Sequence, residues 1–253
     1  MSTIMKMFCL LFFLTAPLQS IGQSKAPSHQ QYHKLLRKNV NSDGRVNYPG
    51  FIRDSLELNQ YLKTLASNPP DEKSWTKNEQ MAYWINAYNA FTIKLIIKYY
   101  PLKSIQDIGS SMQVSFVNTP WDIKFITIGK DRMDLNNIEH GILRQKFNDP
   151  RIHMALVCAS KSCPRLLNEA YEPDRLDEQL NAQCVTFIND NSRNRLAVQP
   201  AELSMIFKWY AADFNKNVPD MSGLVSFLNK YSRVKLKPDT RITYLEYDWT
   251  LNE

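Results

Sequence analysis

Residues 81–100 read MAYWINAYNAFTIKLIIKYY, an almost continuous apolar stretch that ends where Pro101 follows. Shortly before it, Thr76 is followed three residues later by Glu79, the spacing of a capping box at the start of a helix. Proline ends a helix because it lacks the backbone N–H. A helix that is apolar on nearly every side must be buried on most of them. The sequence therefore predicts a long, buried central helix.

Shorter elements are predicted on both sides of this helix. Helices are expected at 28–40, 51–66, 135–147, 174–190, 204–214 and 222–231, and strands at 121–128, 151–158, 195–198 and 242–249. Strands and helices neither alternate regularly nor segregate, which favours an α+β fold. We expect one domain, in which the central helix packs with a small, mostly antiparallel sheet and flanking helices.

The composition is that of an ordinary globular protein. The chain has 253 residues, of which 43% are hydrophobic and 22% charged, and this excludes wholesale disorder, collagen-like repeats and coiled coil. The net charge of +6 is the difference between 31 Lys and Arg and 25 Asp and Glu. These charges are spread along the chain without the basic block of nucleic-acid binders, so no nucleic-acid partner is expected.

The amino-terminal end predicts export. Lys6 precedes an apolar run, 7–18, and the small residues Ser20 and Gly22 then occupy the minus-three and minus-one places of a cleavage site. The run is shorter than the roughly 20 residues that a membrane-spanning helix needs. We expect a signal peptide at 1–22, one domain at 23–253 with no transmembrane segment, and a periplasmic or extracellular location.

Export would decide whether the cysteines can form disulfides. Cleavage would leave Cys158, Cys163 and Cys184 in a compartment that permits disulfides. Three possibilities stay open for Cys158: a bridge to Cys163 or burial, a reactive thiol, or metal ligation. Four residues separate Cys158 from Cys163, which disfavours a redox pair of the thioredoxin type. The cysteines and histidines match no common zinc spacing, so we expect no metal site and no cofactor.

Polar residues lie inside two of the predicted helices. Asn86 and Asn89 are three apart on one face of the central helix, and a buried amide must find partners. They either tie down the backbone of a neighbouring loop or line a polar cleft. Glu139 and His140 are adjacent, so their side chains diverge by about 100° on an α-helix and form no ready-made pair. His140, with Arg144 on its own face, is either a general base or a core histidine.

Reactive groups are densest in RIHMALVCASKSCP, residues 151–164. If this segment begins as a strand, His153 and Cys158 face opposite sides and cannot pair with each other, because side chains alternate along a strand. Cys158 then lies at the strand end beside Ser160 and near Lys161. Free backbone N–H groups and a cation there would stabilise a thiolate.

These segments resemble the DUF547 family. The resemblance covers roughly residues 70–215 and rests on WINAYNA (84–90), IEHGILR (138–144), the run 151–164, FKWY (207–210) and Asp213-Phe214. The closing residues 247–252 resemble the end of exported bacterial members. The resemblance implies a single mixed α/β domain, often secreted in bacteria. It implies no particular reaction, because the family name records an unknown function.

Two functions from different classes are predicted. The first is a thiol-dependent hydrolase or acyl transferase of the cell envelope that acts on a small-molecule or peptide substrate. A cysteine attacks and a histidine from another element is the base, with the catalytic residues drawn from Cys158, Cys163, His140, His153 and Glu139. The predicted substrate-binding residues are Asn86, Asn89, Arg144 and Ser160. The alternative is a non-catalytic binding or scaffold domain, in which the buried polar groups form a structural network and the cysteines form a bridge.

Overall fold

The computed structural model describes residues 25–109, 119–216 and 222–253, and the predicted signal peptide at 1–22 lies outside them. The α-helices are α1 (Gln30–Asn39), α2 (Tyr48–Arg53), α3 (Ser55–Ser67), α4 (Lys77–Tyr99), α5 (Leu176–Ile188), α6 (Met205–Trp209), α7 (Ala211–Phe214) and α8 (Ser222–Tyr231). A π-helix spans Asn137–Phe147, and short 3-10 helices span Ile105–Asp107, Pro120–Asp122, Pro150–Met154 and Pro173–Arg175. The strands are β1 (Ile126–Ile128), β2 (Asp131–Met133), β3 (Ala201–Leu203) and β4 (Ile242–Tyr244).

Helix α4 forms the centre of the larger hydrophobic core, as predicted. The capping box is present, since the Thr76 hydroxyl accepts from the Glu79 N–H and the Glu79 carboxylate accepts from the Thr76 N–H. Every residue of 81–93 is buried, and α2, α3 and the π-helix pack around it. Within the residues that the structure describes, no helix, α4 included, combines the length and hydrophobicity of a transmembrane span.

The strands form two separate pairs. β1 and β2 are antiparallel, with Ile126 opposite Met133, whereas β3 and β4 are parallel, with Ala201 opposite Ile242. The α+β class is confirmed. The expected small sheet is therefore divided into one antiparallel and one parallel ribbon.

The predicted strand at 151–158 is wrong. Pro150–Met154 forms a 3-10 helix, which Asp149 caps by accepting from the Arg151 N–H, and proline is favoured at the first position of a helix. The residues from Ala155 to Cys158 have no regular structure. A short apolar run indicates burial, but it does not distinguish a strand from a buried helical turn.

The other predicted strands are shorter or displaced. The segment 121–128 contributes only β1, and 242–249 only β4. The strand at 195–198 is absent, because Arg195 forms just an isolated bridge with Glu202 and the regular strand β3 begins at Ala201.

Two predicted helices differ from the observed ones. The helix at 51–66 is divided into α2 and α3 at Asp54, whose carboxylate accepts from Lys38 Nζ and Asn39 Nδ2. The helix at 135–147 is a π-helix, and Asp134 caps it by accepting from the Asn137 N–H. Single-turn π-helical insertions are frequent at functional sites, whereas long regular ones are rare.

A second, smaller core lies on the carboxyl-terminal side. α5, α6, α7 and α8 build it around side chains such as Phe187, Phe207 and Leu228. The 3-10 helix after Asp149 joins the two cores, because Ile152 belongs to the larger one and Met154 to the smaller. The residues that follow Met154 therefore run along the junction between the cores.

Candidate functional site

A cavity of about 230 Å³ lies at this junction. Its wall includes the exposed residues His140 and Trp209, so the cavity reaches the protein surface. The lining residues are Tyr88, Trp121, Asn136, Glu139, His140, His153, Leu156, Cys158, Cys163, Ile206, Trp209, Tyr210, Tyr247 and Trp249. The structure thus brings all five predicted catalytic residues to one cavity.

Cys158 and Cys163 are joined by a disulfide in the cavity wall. This is the bridge that the sequence left open as one of three possibilities. Cys158 is half-buried, and its Sγ lies 3.2 Å from Ser160 Oγ and 3.3 Å from Tyr247 Oη. Cys184 is a free thiol, and burial raises its pKa to about 12. Cys158 and Cys163 therefore supply the sulfur atoms of the cavity.

The loop that carries Cys158 is held from the carboxyl-terminal segment. The Asn252 N–H donates to the Ala159 carbonyl, and the Lys161 N–H donates to the Thr250 carbonyl. Ala159, next to Cys158, has φ of 63°, in the left-handed region that residues other than glycine rarely adopt. Backbone strain of this kind persists only where the surroundings enforce it, and it clusters at functional sites.

His153 is oriented by Asp213. Its Nε2 lies 2.7 Å from Asp213 Oδ2, and its ring stacks on Tyr210 with 3.9 Å between centroids. Arg144 binds the same carboxylate through Nε and Nη2, at 2.6 and 2.9 Å. Although burial opposes it, the hydrogen bonds from His153 and Arg144 hold the pKa of Asp213 well below its ordinary value. The ionised carboxylate keeps a proton on His153 Nε2, so Nδ1 of the neutral ring is an acceptor.

His140 has the opposite arrangement. Its Nδ1 lies 3.0 Å from Arg144 Nη1, and a guanidinium only donates hydrogen bonds. Nδ1 must therefore accept, and the proton of the neutral ring is on Nε2. Of the two histidines in the cavity wall, His140 thus presents a donor and His153 retains an acceptor.

Glu139 is buried between two tyrosines. Burial, together with the negative charge of Glu139, raises the pKa of Tyr88 and of Tyr210. Glu139 and His140 both line the cavity, although they were expected to diverge. A π-helix has more residues in each turn than an α-helix, so adjacent side chains diverge less.

The expected separation of His153 and Cys158 does not occur. It assumed a strand, and the segment contains a 3-10 helix instead, so both side chains reach the same cavity. The prediction that His153 and Cys158 face opposite sides is therefore wrong.

The four predicted substrate-binding residues are not in the cavity lining. Asn86 binds both backbone groups of Tyr171, its Nδ2 donating to the carbonyl at 2.8 Å and its Oδ1 accepting from the N–H at 2.9 Å. Asn89 does the same for the Ala155 carbonyl and the Val157 N–H, at 2.9 and 3.0 Å. The structural alternative thus accounts for both amides. Arg144 and Ser160 hydrogen-bond to two residues of the wall, His140 and Tyr247 respectively.

Sequence reasoning missed Asp213 and most of the aromatic wall. The missed aromatic residues are Tyr88, Trp121, Trp209, Tyr210, Tyr247 and Trp249. Several of them stand within the segments that resemble the family, and this was the signal available. A polar Asp213 close to a cluster of aromatic residues was a second signal.

A larger cavity of about 680 Å³ adjoins the first one at Cys163, which lines both cavities. Its wall carries charges of both signs. Arg193 there pairs with Asp190 and donates to the carbonyls of Cys163 and Lys161, at 2.9 and 2.8 Å. The Arg193 guanidinium therefore holds the loop between Cys158 and Cys163 and is not free to bind a ligand. The smaller cavity, whose wall is largely aromatic, is the better candidate site. In the described part of the chain, no group of three His, Cys, Asp or Glu side chains is arranged to hold a metal ion.

Comparison with known proteins identifies a family without a known activity. No curated protein and no solved structure matches the chain. The model of the DUF547 family, described as a protein of unknown function, matches residues 72–188. This match, which contains all five predicted catalytic residues, confirms the resemblance to the DUF547 family seen in the sequence.

Proposed function

We propose that this protein is a thiol-dependent hydrolase or acyl transferase whose nucleophile is Cys158. The supporting observation is that Cys158, His153 and His140 line one small cavity that reaches the surface. The substrate is a small molecule or a peptide segment that carries an ester or amide. We also propose a periplasmic or extracellular location, which the signal-like segment and the disulfide both support.

The reactive form has Cys158 reduced. A dithiol reductant exchanges with the Cys158–Cys163 bridge, which becomes two thiols while the dithiol is oxidised to its own disulfide. The resulting Cys158 thiol lies in the cavity wall, near the hydroxyls of Ser160 and Tyr247. Hydrogen bonds from these hydroxyls would stabilise a thiolate.

His153 serves as the base. Asp213 holds its Nε2–H, which leaves Nδ1 to accept the proton of Cys158, the arrangement of nucleophile, base and orienting acid. The thiolate attacks the carbonyl carbon to form a thioester, and the leaving alcohol or amine takes the proton from His153. Water or a second acceptor then releases the acyl group. The Nε2–H of His140 supplies a donor for the carbonyl oxygen as it becomes negative.

Alkylation of the folded protein tests the thiol. Iodoacetamide followed by mass spectrometry should leave Cys158 unlabelled in the oxidised protein and label it after mild reduction. Cys163→Ser removes the bridge, so it should allow labelling of Cys158 without any reductant. Cys184, buried and with a pKa raised to about 12, is an internal control that should stay unlabelled.

The base is tested in the Cys163→Ser protein. Adding His153→Gln should slow alkylation of Cys158 at neutral pH by about tenfold, because less thiolate is present. His33→Gln, on α1, is the matched control and should leave the rate unchanged. Equal rates in the two variants would remove His153 from the mechanism.

The non-catalytic alternative has specific support in the disulfide and in the two asparagines bound to backbone. It predicts that Cys158 stays unlabelled in the reduced, folded protein. It also predicts that Cys158→Ser lowers the melting temperature and changes nothing else. Either result, obtained with the controls intact, would replace the enzyme proposal with a binding or scaffold domain.

A further inference from the structure

Four aromatic side chains form a continuous part of the cavity wall. Trp249 is the centre, with ring centroids 4.6 Å from Tyr247, 5.7 Å from Trp209 and 5.8 Å from Trp121. Tyr247 and Trp209 also contact each other, at 4.8 Å. Each ring therefore packs against at least one other ring of this wall.

The charge in the cavity is negative. Glu139 is the only Asp, Glu, Lys or Arg residue in the lining that the structure describes. Arg144, the nearest arginine on the same helix, is bound through two N–H groups to Asp213, and these two charges offset each other. Glu139 takes part in none of the ion pairs formed by the described residues. The charge of Arg144 acts on Glu139 only at longer range, so a positive ligand in the cavity would be the first cation in direct contact with this buried carboxylate and would relieve the cost of burying it.

Aromatic rings and a lone carboxylate together select a cation with alkyl groups. Trp and Tyr attract cations through the negative charge above their rings, and aromatic cages are the usual site for quaternary ammonium ligands. A primary ammonium needs hydrogen-bond acceptors for its three N–H groups, whereas an alkylated ammonium presents its alkyl groups to the faces of the rings. The volume of about 230 Å³ is below the roughly 300–1,000 Å³ of sites for drug-sized ligands. It therefore fits a head group and excludes a large ligand.

We propose that this cavity binds an alkylated ammonium group, with Glu139 as the counter-ion and Trp121, Trp209 and Trp249 as the cation-binding wall. This proposal rests on the proposed function in one respect only, namely that the ammonium group belongs to the substrate of the enzyme. Binding of the ammonium group is proposed for the protein with the Cys158–Cys163 disulfide intact. The proposed reaction does not occur in that form.

Choline is the probe, and the oxidised protein without reductant is the sample. Quenching of tryptophan fluorescence or calorimetry should give saturable binding of choline. The neutral analogue, in which a tert-butyl group replaces trimethylammonium, should bind about tenfold or more weakly, since it lacks the charge that makes the desolvated cation–π contact. Ethanolamine, which carries a primary ammonium, should also bind more weakly than choline. Equal affinity for choline and its neutral analogue would overturn the proposal without any use of variants.

Two variants assign the contacts. Glu139→Gln should weaken choline binding by about tenfold. Glu246→Gln, at an exposed glutamate that lines the larger cavity, should leave choline binding unchanged. Trp209→Leu should also weaken binding, and its half-exposed position makes the change tolerable for folding. Unchanged choline affinity in folded Glu139→Gln would reject the counter-ion.

The two proposals fail separately. Choline binding by a protein whose reduced Cys158 resists iodoacetamide would preserve the ammonium site and reject the thiol enzyme. A reactive Cys158 in a protein with no preference for choline would do the reverse.

Discussion

Asn86 and Asn89 are alike in sequence and burial, but they support different parts of the molecule. Both stand on α4, and both use one amide to bind a backbone N–H and a backbone carbonyl. Asn86 binds Tyr171, which does not line the cavity, whereas Asn89 binds Ala155 and Val157, shortly before Cys158. Position along one helix face therefore decides which loop each amide positions.

This difference gives a matched pair of variants. Asn86→Ala and Asn89→Ala should each lower the free energy of unfolding by roughly 2–6 kcal/mol, because each leaves two buried backbone groups without partners at about 1–3 kcal/mol apiece. Urea unfolding measures this loss. In the Cys163→Ser background, only Asn89→Ala should also change the alkylation rate of Cys158. Equal effects of the two variants on that rate would show that Asn89 does not position the cysteine.

At the scale of elements, the contact between α1 and α3 contains a titratable group. His29 immediately precedes α1, is buried, and its Nδ1 lies 2.8 Å from the hydroxyl of Tyr61 on α3. Burial lowers the pKa of His29 from 6.5 to about 4. The folded protein therefore keeps this histidine neutral at a pH where the unfolded chain binds a proton.

The stability of the protein should consequently depend on pH in a defined window. The contribution of His29 is complete above pH 6.5 and is lost as the pH falls towards 4, because protonation then favours the unfolded chain. The loss should reach about 3 kcal/mol over this window. Urea unfolding as a function of pH measures it, and His29→Gln should remove this part of the pH dependence. An identical profile for His29→Gln and wild type would contradict the assignment.

Local signals predicted the helices better than the strands. The capping box and the proline that bound α4 act through neighbouring residues, and so does the Asp134 cap of the π-helix. The strand predicted at 151–158 is wrong because apolar side chains indicate that a segment is buried, but they do not indicate its backbone conformation. Its true conformation depends on Asp149 and Pro150 at its start and on Asn89, which reaches it from α4.

At the scale of the whole molecule, the site depends on two hydrophobic cores that meet. Tyr88 and Leu156 belong to the larger core and Ile206 to the smaller, and all three line the cavity. The Arg144–Asp213 pair connects the π-helix to α7 across the same junction. Cavity geometry should therefore respond to damage in either core.

Phe207 tests this dependence. It is fully buried in the smaller core and contacts Phe187 and Phe214. Phe207→Ala should lower the free energy of unfolding by about 3–5 kcal/mol, the usual cost of removing a buried phenylalanine ring. Phe227→Ala, at a half-buried position of the same core, is the control and should cost less. Circular dichroism and tryptophan fluorescence should report one shared transition in both variants, and separate transitions would mean that the cores unfold independently.

Signals carried by neighbouring residues were sufficient for the central helix, the α+β class and the list of chemically active side chains around Cys158. Only the tertiary structure established which of those side chains share a cavity, that Asp213 orients His153, and which of the three possibilities applies to Cys158. The reason is physical. Capping and periodic hydrophobicity act over a few residues, whereas the cavity wall joins Tyr88, on α4, to Trp249, far along the chain, through contacts that only the folded chain creates.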